Sequence, residues 1–208
     1  MIGYILMQKL NRSGRMRRLI TPLFILLGTL CLSACLTVES KEYRITLKTD
    51  NSGEATITFI NILSEADDTV DISSDDFQQL IEFYLQGNQL EKENPGFHNV
   101  KKRLFEEGGV LCGEITFTFD SLGSVRIFKY DSDSPYMYGV GSPLSSEQYV
   151  ESNGMLAREW MPIVFWPKEA KELTIKTKVV SEVSFQRGLL KHYKTWLAQQ
   201  PGQRQKKQ

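Results

Sequence analysis

From residue 43 the chain alternates apolar and polar positions: Tyr43, Ile45 and Leu47 stand against Arg44, Thr46 and Lys48, the two-residue period of a half-buried strand. Thr49-Asp50-Asn51-Ser52-Gly53 is a run of turn formers, and residues 54–62 resume with Ala55, Ile57 and Phe59 on one side, which predicts a hairpin. Residues 64–74 are a polar loop carrying Glu65, Asp67, Asp68 and Asp71; the loop has no glycine and lacks the ligand spacing of a calcium loop, so it reads as solvated. Ser73 or Ser74 then caps a helix with Asp75 and Asp76 in its first turn, where carboxylates meet free backbone amides. Phe77, Leu80, Ile81, Tyr84 and Leu85 give this helix one apolar face, and Gly87-Asn88 ends it.

Residues 89–95 are polar and break regular structure. Residues 98–107 fit a short helix or the first arm of a hairpin, and Gly108-Gly109 between two segments of matching length favours the strand. Leu111, Ile115, Phe117 and Phe119 share one parity of the next strand, with Cys112, Glu114, Thr116 and Thr118 on the other. After a turn at Asp120-Ser121-Leu122-Gly123, residues 124–130 predict a further strand with Val125 and Ile127 inward. The pattern weakens over 131–153, a long loop seeded with tyrosines. Residues 160–166 are apolar on both parities, and Pro162, which has no amide to donate, places them at a sheet edge or a strand start. Leu173, Ile175, Thr177 and Val179 mark a final strand, and Phe185, Leu189, Leu190, Tyr193, Trp196 and Leu197 a stripe on a closing helix over 182–199, interrupted by Gly188. Together they predict an α+β domain, with an antiparallel sheet of about six strands and two principal helices packed on one face.

Upstream, the pattern has a different meaning. Lys9, Arg12, Arg15, Arg17 and Arg18, with no acidic residue among them, precede an apolar run over 19–32 that ends in small residues and Cys35. This is the order of charged, apolar and small segments in a secretory signal. The run is too short to span a bilayer comfortably, since a helix needs roughly 20 residues to do so, and an uncleaved anchor is the weaker alternative. A start at Met16 would leave a signal of ordinary length. Leu32-Ser33-Ala34-Cys35 resembles the lipobox of bacterial lipoproteins. The resemblance implies diacylation of Cys35 before cleavage and often a third acyl chain on the new amino group. With Leu36 rather than aspartate next, it leans toward the outer membrane where a cell has two. On this reading residues 1–34 are a signal peptide, 35–42 a lipid-anchored tether, 43–199 one domain and 200–208 a polar tail.

Composition changes the picture once the leader is set aside. Removing its five basic residues from the 25 of the chain leaves 20 against 25 acidic residues, a net charge near minus five, which argues against nucleic acid as the main partner. Cys31 leaves with the signal and Cys35 becomes a thioether, so Cys112 is the sole free thiol, expected to pack rather than react. No cofactor is implied. His98 and His192 lie in no metal-binding spacing; His98 reads as an exposed loop residue and His192 as helix surface. Glu106 and Glu107, or Asp131 and Asp133, supply carboxylates for an acid–base pair but without a positioning motif. Tyr130, Tyr136, Tyr138, Tyr149, Trp160 and Trp166 are the candidate binding surface, for an envelope protein, peptide or glycan, because such rings bury area while keeping a polar handle; the alternative is that they fill a second small core. The expected role is a non-enzymatic binding or structural module of the cell envelope, with a carboxylate hydrolase or a carrier of a small apolar ligand as alternatives. The carrier requires a cavity between sheet and helix.

Overall fold

The alternation begins earlier than residue 43. In this computed structural model, which describes residues 36–66, 70–140, 147–158, 161–181, 183 and 185–200, β1 (Leu36–Leu47) pairs antiparallel with β2 (Gly53–Ala66) from Leu36 opposite Ser64 to Leu47 opposite Gly53. Residues 36–42 are therefore strand and not tether. The expected leader, the lipobox with Cys35, Trp160 and the tail from 201 lie outside the described residues.

The main sheet has seven strands, all antiparallel, in the order β3 (His98–Glu107), β4 (Val110–Phe119), β2, β1, β9 (Glu172–Val179) and β6 (Glu147–Ser152), with β10 (Phe185–Gly188) paired to the far half of β2. The β3–β4 hairpin turns on Gly108 and Gly109, whose φ values of 59 and 81 match the turn that joins two-residue hairpins. A second sheet of three strands has β8 (Met161–Trp166) between β5 (Tyr136–Gly139) and β7 (Met155–Arg158). The expected α+β architecture, with an antiparallel sheet and helices against it, is present.

Several expected elements differ. Residues 131–153 are not one long loop, because β5 and β6 form within them. Residues 124–130 make no strand: a 3-10 turn, Leu122–Val125, and Arg126 in the left-handed region carry the chain off the sheet, although Val125 and Ile127 are buried as expected. Pro162 takes the second of the two placements expected for it: β8 is the central strand of its sheet, and Pro162 sits at the β8 start, beside the irregularity between Leu156 and Arg158, with its carbonyl accepting from the Val140 amide. Residues 185–188 add a strand to β2, so the closing helix α3 is shorter, Leu190–Gln199. The first helix is α1 (Ser73–Gln79) continued by a π-helical segment, Leu80–Leu85, and a short helix α2 (Gln89–Glu93) forms inside the stretch that reads as irregular. Neither Ser73 nor Ser74 caps α1; Asp71 accepts from the Ser73 amide and hydroxyl instead.

One face of the main sheet carries the core. On β4, Leu111 packs with Ile62, Phe77, Ile81, Leu189 and Tyr193 beneath the helices, whereas Ile115, Phe117 and Phe119 pack with Tyr138, Val164 and Trp166 beneath the small sheet. These β4 residues share one parity, so both covers lie on the same face. On β2 the buried parity changes from Ala55 to Ile62, Ser64 and Ala66, and the change falls at Asn61, whose φ of 56 puts a kink in the strand. The sheet thus presents one face to two covers, helices at one end and a small sheet at the other.

Candidate functional site

The seam between the two covers is where the face is incompletely filled. A cavity of about 410 Å³ opens there, walled by Val38, Phe59, Ile62, Leu80, Leu85 and Leu104 among others. A smaller one of about 190 Å³ adjoins it toward the small sheet, with Tyr43, Ile57, Phe97, Arg126 and Tyr138 in its wall. Lys41, Phe59, Leu90 and Ile115 belong to both walls, so the two adjoin along the seam, as the apolar end and the more polar end of a cleft.

Local sequence explains the wall. The π-helical segment lengthens each turn, a form that occurs mostly as single turns and often at functional sites, and here it brings Leu80, Tyr84 and Leu85 together over β1 and β3. Lys102 holds α2 in place: its ammonium, barely exposed, donates to the Gly87 carbonyl at 2.8 Å and pairs with Glu91 at 2.7 Å. Burial pushes the Glu91 carboxyl up, but the Lys102 contact brings it below the usual carboxylate range. Leu90 on α2 thereby reaches the cleft from above.

At the polar end the inner face of the sheet carries a network instead of apolar side chains. Glu147 accepts from the Lys41 ammonium at 2.7 Å, from the Tyr43 hydroxyl at 3.0 Å and from the Thr177 hydroxyl at 2.8 Å. The pairing follows from register, since Lys41 lies opposite Thr177 and Glu147 opposite Val179. Burial pushes the Glu147 carboxyl up, yet Lys41, then Thr177 and Tyr43, hold it below the usual carboxylate range, so it is an anion. Burial and the neighbouring groups push the Tyr43 phenol far up, and burial and the Glu147 charge push Tyr138 up, with Arg126 opposing both shifts. Both phenols are therefore neutral at any physiological pH, and Tyr43 donates to Glu147. Every buried side-chain nitrogen and oxygen among the described residues has a hydrogen-bond partner.

Of the six aromatic residues expected to form one surface, Tyr136, Tyr138, Tyr149 and Trp166 share one core, the alternative expected for them, and Trp160 lies outside the described residues. Tyr136, Tyr138 and Trp166 are buried in the core, Tyr149 is half-buried, and Tyr130 is 81% exposed. Trp166 donates its indole N–H to Asn153 at 2.7 Å, which fixes the ring under the small sheet. What the sequence did not single out is the outer face of that sheet, where Phe128, Met137, Phe165 and Met155 stand opposite one another across successive strands. The carboxylates of the expected acid–base pairs have other partners: Glu106 pairs with Lys194, Asp133 pairs with Lys168, and Asp131 accepts from the amides of Asp133 and Ser134.

His98 is exposed and contacts Asp120 at 3.1 Å. His192 is not on the open helix surface; it stacks on Phe77 and meets the Ser73 hydroxyl at 3.0 Å. Ser73 donates that hydroxyl proton to Asp71 at 2.6 Å, so its oxygen accepts from His192 Nε2, the reverse of what a general base requires. The arrangement pins α1 to α3. Cys112 is buried, and no cluster of three or more metal-binding side chains exists among the described residues. No helix among the described residues is long and apolar enough to cross a membrane. Comparison with protein-family models, curated proteins and solved structures returned no match.

Proposed function

We propose that this protein is a lipid-anchored lipoprotein of the cell envelope whose body holds a single aliphatic chain in the cleft between the helices and the small sheet, without chemical conversion of the ligand. The observation that carries the reading is the apolar cavity of about 410 Å³ at the seam of the two covers. Small-molecule sites commonly enclose about 300–1,000 Å³ and are lined mostly by apolar side chains with a few placed polar groups. The volume suits one chain better than the paired chains of a bilayer lipid. Anchoring rests on the lipobox resemblance at Cys35, and Leu36, one residue on, already lies in the cavity wall, so an anchored body keeps the cleft beside the lipid.

The reading is tested on the full-length protein in phospholipid nanodiscs, photolabelled with a long-chain alkyl diazirine. Labelled peptides from β1, the Leu80–Leu85 segment or α2 support it, and Leu90→Trp, which fills the cleft, removes the label. Uniform labelling of the surface would sink it.

A second reading, recruitment of an envelope protein, is favoured by the apolar row Phe128, Met137, Phe165 and Met155. Phe128 and Met155 are 59% and 69% exposed. The small sheet covers the Leu47 end of β1, about 36 Å of strand from Leu36, so the row is far from an anchor at Cys35. Crosslinking in native membranes, with Phe128→Asp and Met155→Asp as controls, checks it. A captured protein lost in those variants supports recruitment, and capture that survives them contradicts it.

A further inference from the structure

We infer that the chain held in the cleft carries an anionic head group, and that Arg126 is the residue that selects it. The inference rests on the aliphatic-chain reading of the same cleft.

Cations in the cleft wall are Lys41, Lys102, Arg103 and Arg126. Lys41 is paired with Glu147, Lys102 with Glu91, and Arg103 holds Glu114 through two bonds of 2.7 and 2.8 Å. Arg126 alone of these has no carboxylate partner among the described residues; its guanidinium lies against the Tyr138 hydroxyl at the polar end. A positive charge with no carboxylate partner among the described residues, facing a cavity whose other end is apolar, is complementary to an anion on an alkyl chain.

The backbone at Arg126 points the same way. Non-glycine residues with positive φ among the described residues are Asn51, Asn61, Asn99 and Arg126. Asparagine tolerates the left-handed region because its short side chain bonds locally; arginine gains nothing comparable. Arg126 closes the 3-10 turn, its amide bonded to the Gly123 carbonyl, at a position where glycine is the usual choice. Retaining arginine there places a guanidinium at the cleft at the expense of local strain, and such strain concentrates at ligand clamps. Asn94, Ser124 and the Tyr43 hydroxyl lie in the same wall and supply further polar groups for a head group.

The test uses the full-length protein in nanodiscs, with the alkyl diazirine label displaced by hexadecanoate, hexadecyl phosphate, hexadecanol or hexadecyltrimethylammonium. In the parent protein both anions are expected to displace the label at least tenfold more effectively than the alcohol, and the ammonium least. Arg126→Gln is expected to bring anions and alcohol level while leaving the alcohol unchanged, and Arg126→Gly, which relieves the backbone, to do the same in a protein at least as stable. Anions and alcohol level in the parent, or an anion preference that survives both variants, would overturn the inference and leave the aliphatic reading standing. No displaceable label at the cleft in any arm would remove that reading and the inference with it.

Discussion

Lys41 and Glu147 lie 106 positions apart in sequence and meet at 2.7 Å on the covered face of the main sheet. Strand order makes the meeting possible: β9 lies between β1 and β6, and its Thr177 also donates to the carboxylate. This pair ends the apolar core at the polar side of the cleft, so its charge state bears on both stability and binding.

The carboxyl of Glu147 titrates lower in the folded protein than in the unfolded chain. Its contribution is therefore complete above the ordinary carboxylate value of about 4.3 and is lost as pH falls through the lower folded value. Glu147→Gln is expected to cost about 1–3 kcal/mol at neutral pH, the worth of hydrogen bonds to a charged group. Thermal denaturation from neutral to acid pH checks this: the gap between parent and variant closes in acid. A gap that persists unchanged would show that ionised Glu147 is not what stabilises the pair.

Gly154 has no room for a side chain. A Cβ there would stand 2.7 Å from Trp166 Cε2 and Nε1 and from Val164 Cγ1, both residues fully buried. Gly154→Ala is expected to destabilise by about 1–3 kcal/mol, as overpacking of a filled core does. Denaturant unfolding with an unchanged m-value and a lower midpoint would agree; an unchanged midpoint would mean that the small sheet yields easily.

Lys102 is the fastening of α2. Glu91→Gln leaves the bond to Gly87 but removes the ion pair, whereas Lys102→Met removes both. Hydrogen exchange at residues 89–93 is expected to rise modestly in the first variant and strongly in the second, with little change on β1 and β2. Equal exchange in all three proteins would show that Leu90 is held by packing alone.

At Arg126, glycine avoids the penalty of φ 57, so Arg126→Gly is expected to leave stability unchanged or to raise it by up to about 1 kcal/mol. Calorimetry decides it. A loss beyond 1 kcal/mol, on the order of a lost cap, would mean that the guanidinium supports the fold rather than a ligand.

The strands that were legible in the sequence are those with one wet face. Tyr43, Ile45 and Leu47 against Arg44, Thr46 and Lys48 is a local signal, and Gly108-Gly109 names its own turn. Residues 185–188 misled because Phe185 falls at helical spacing from Leu189; the competing bond, strand pairing of Phe185 with Ala66, is long-range and leaves no local trace. Pro162 suggested an edge or a strand start, and it stands at the start of β8, beside an irregular pairing where no ladder donor is needed. The aromatic residues Tyr136, Tyr138 and Trp166 gave the right composition for a binding surface, but their parity against Met137 and Phe165, which decides inside from outside, could be read only with β5 and β8 in place. The cleft was least legible of all. Leu90 sits in a polar stretch, Arg126 in what reads as a strand, and Lys41 meets Glu147 only through the strand order.

The central claim is that the cleft holds an aliphatic chain in the native protein. Native mass spectrometry of the full-length protein released from membrane nanodiscs formed without detergent tests it most directly. The account predicts a single non-covalent adduct with the mass of a one-chain amphiphile, present in the parent and absent in Leu90→Trp. A parent protein that carries no such adduct, or an adduct equally abundant in Leu90→Trp, would contradict it.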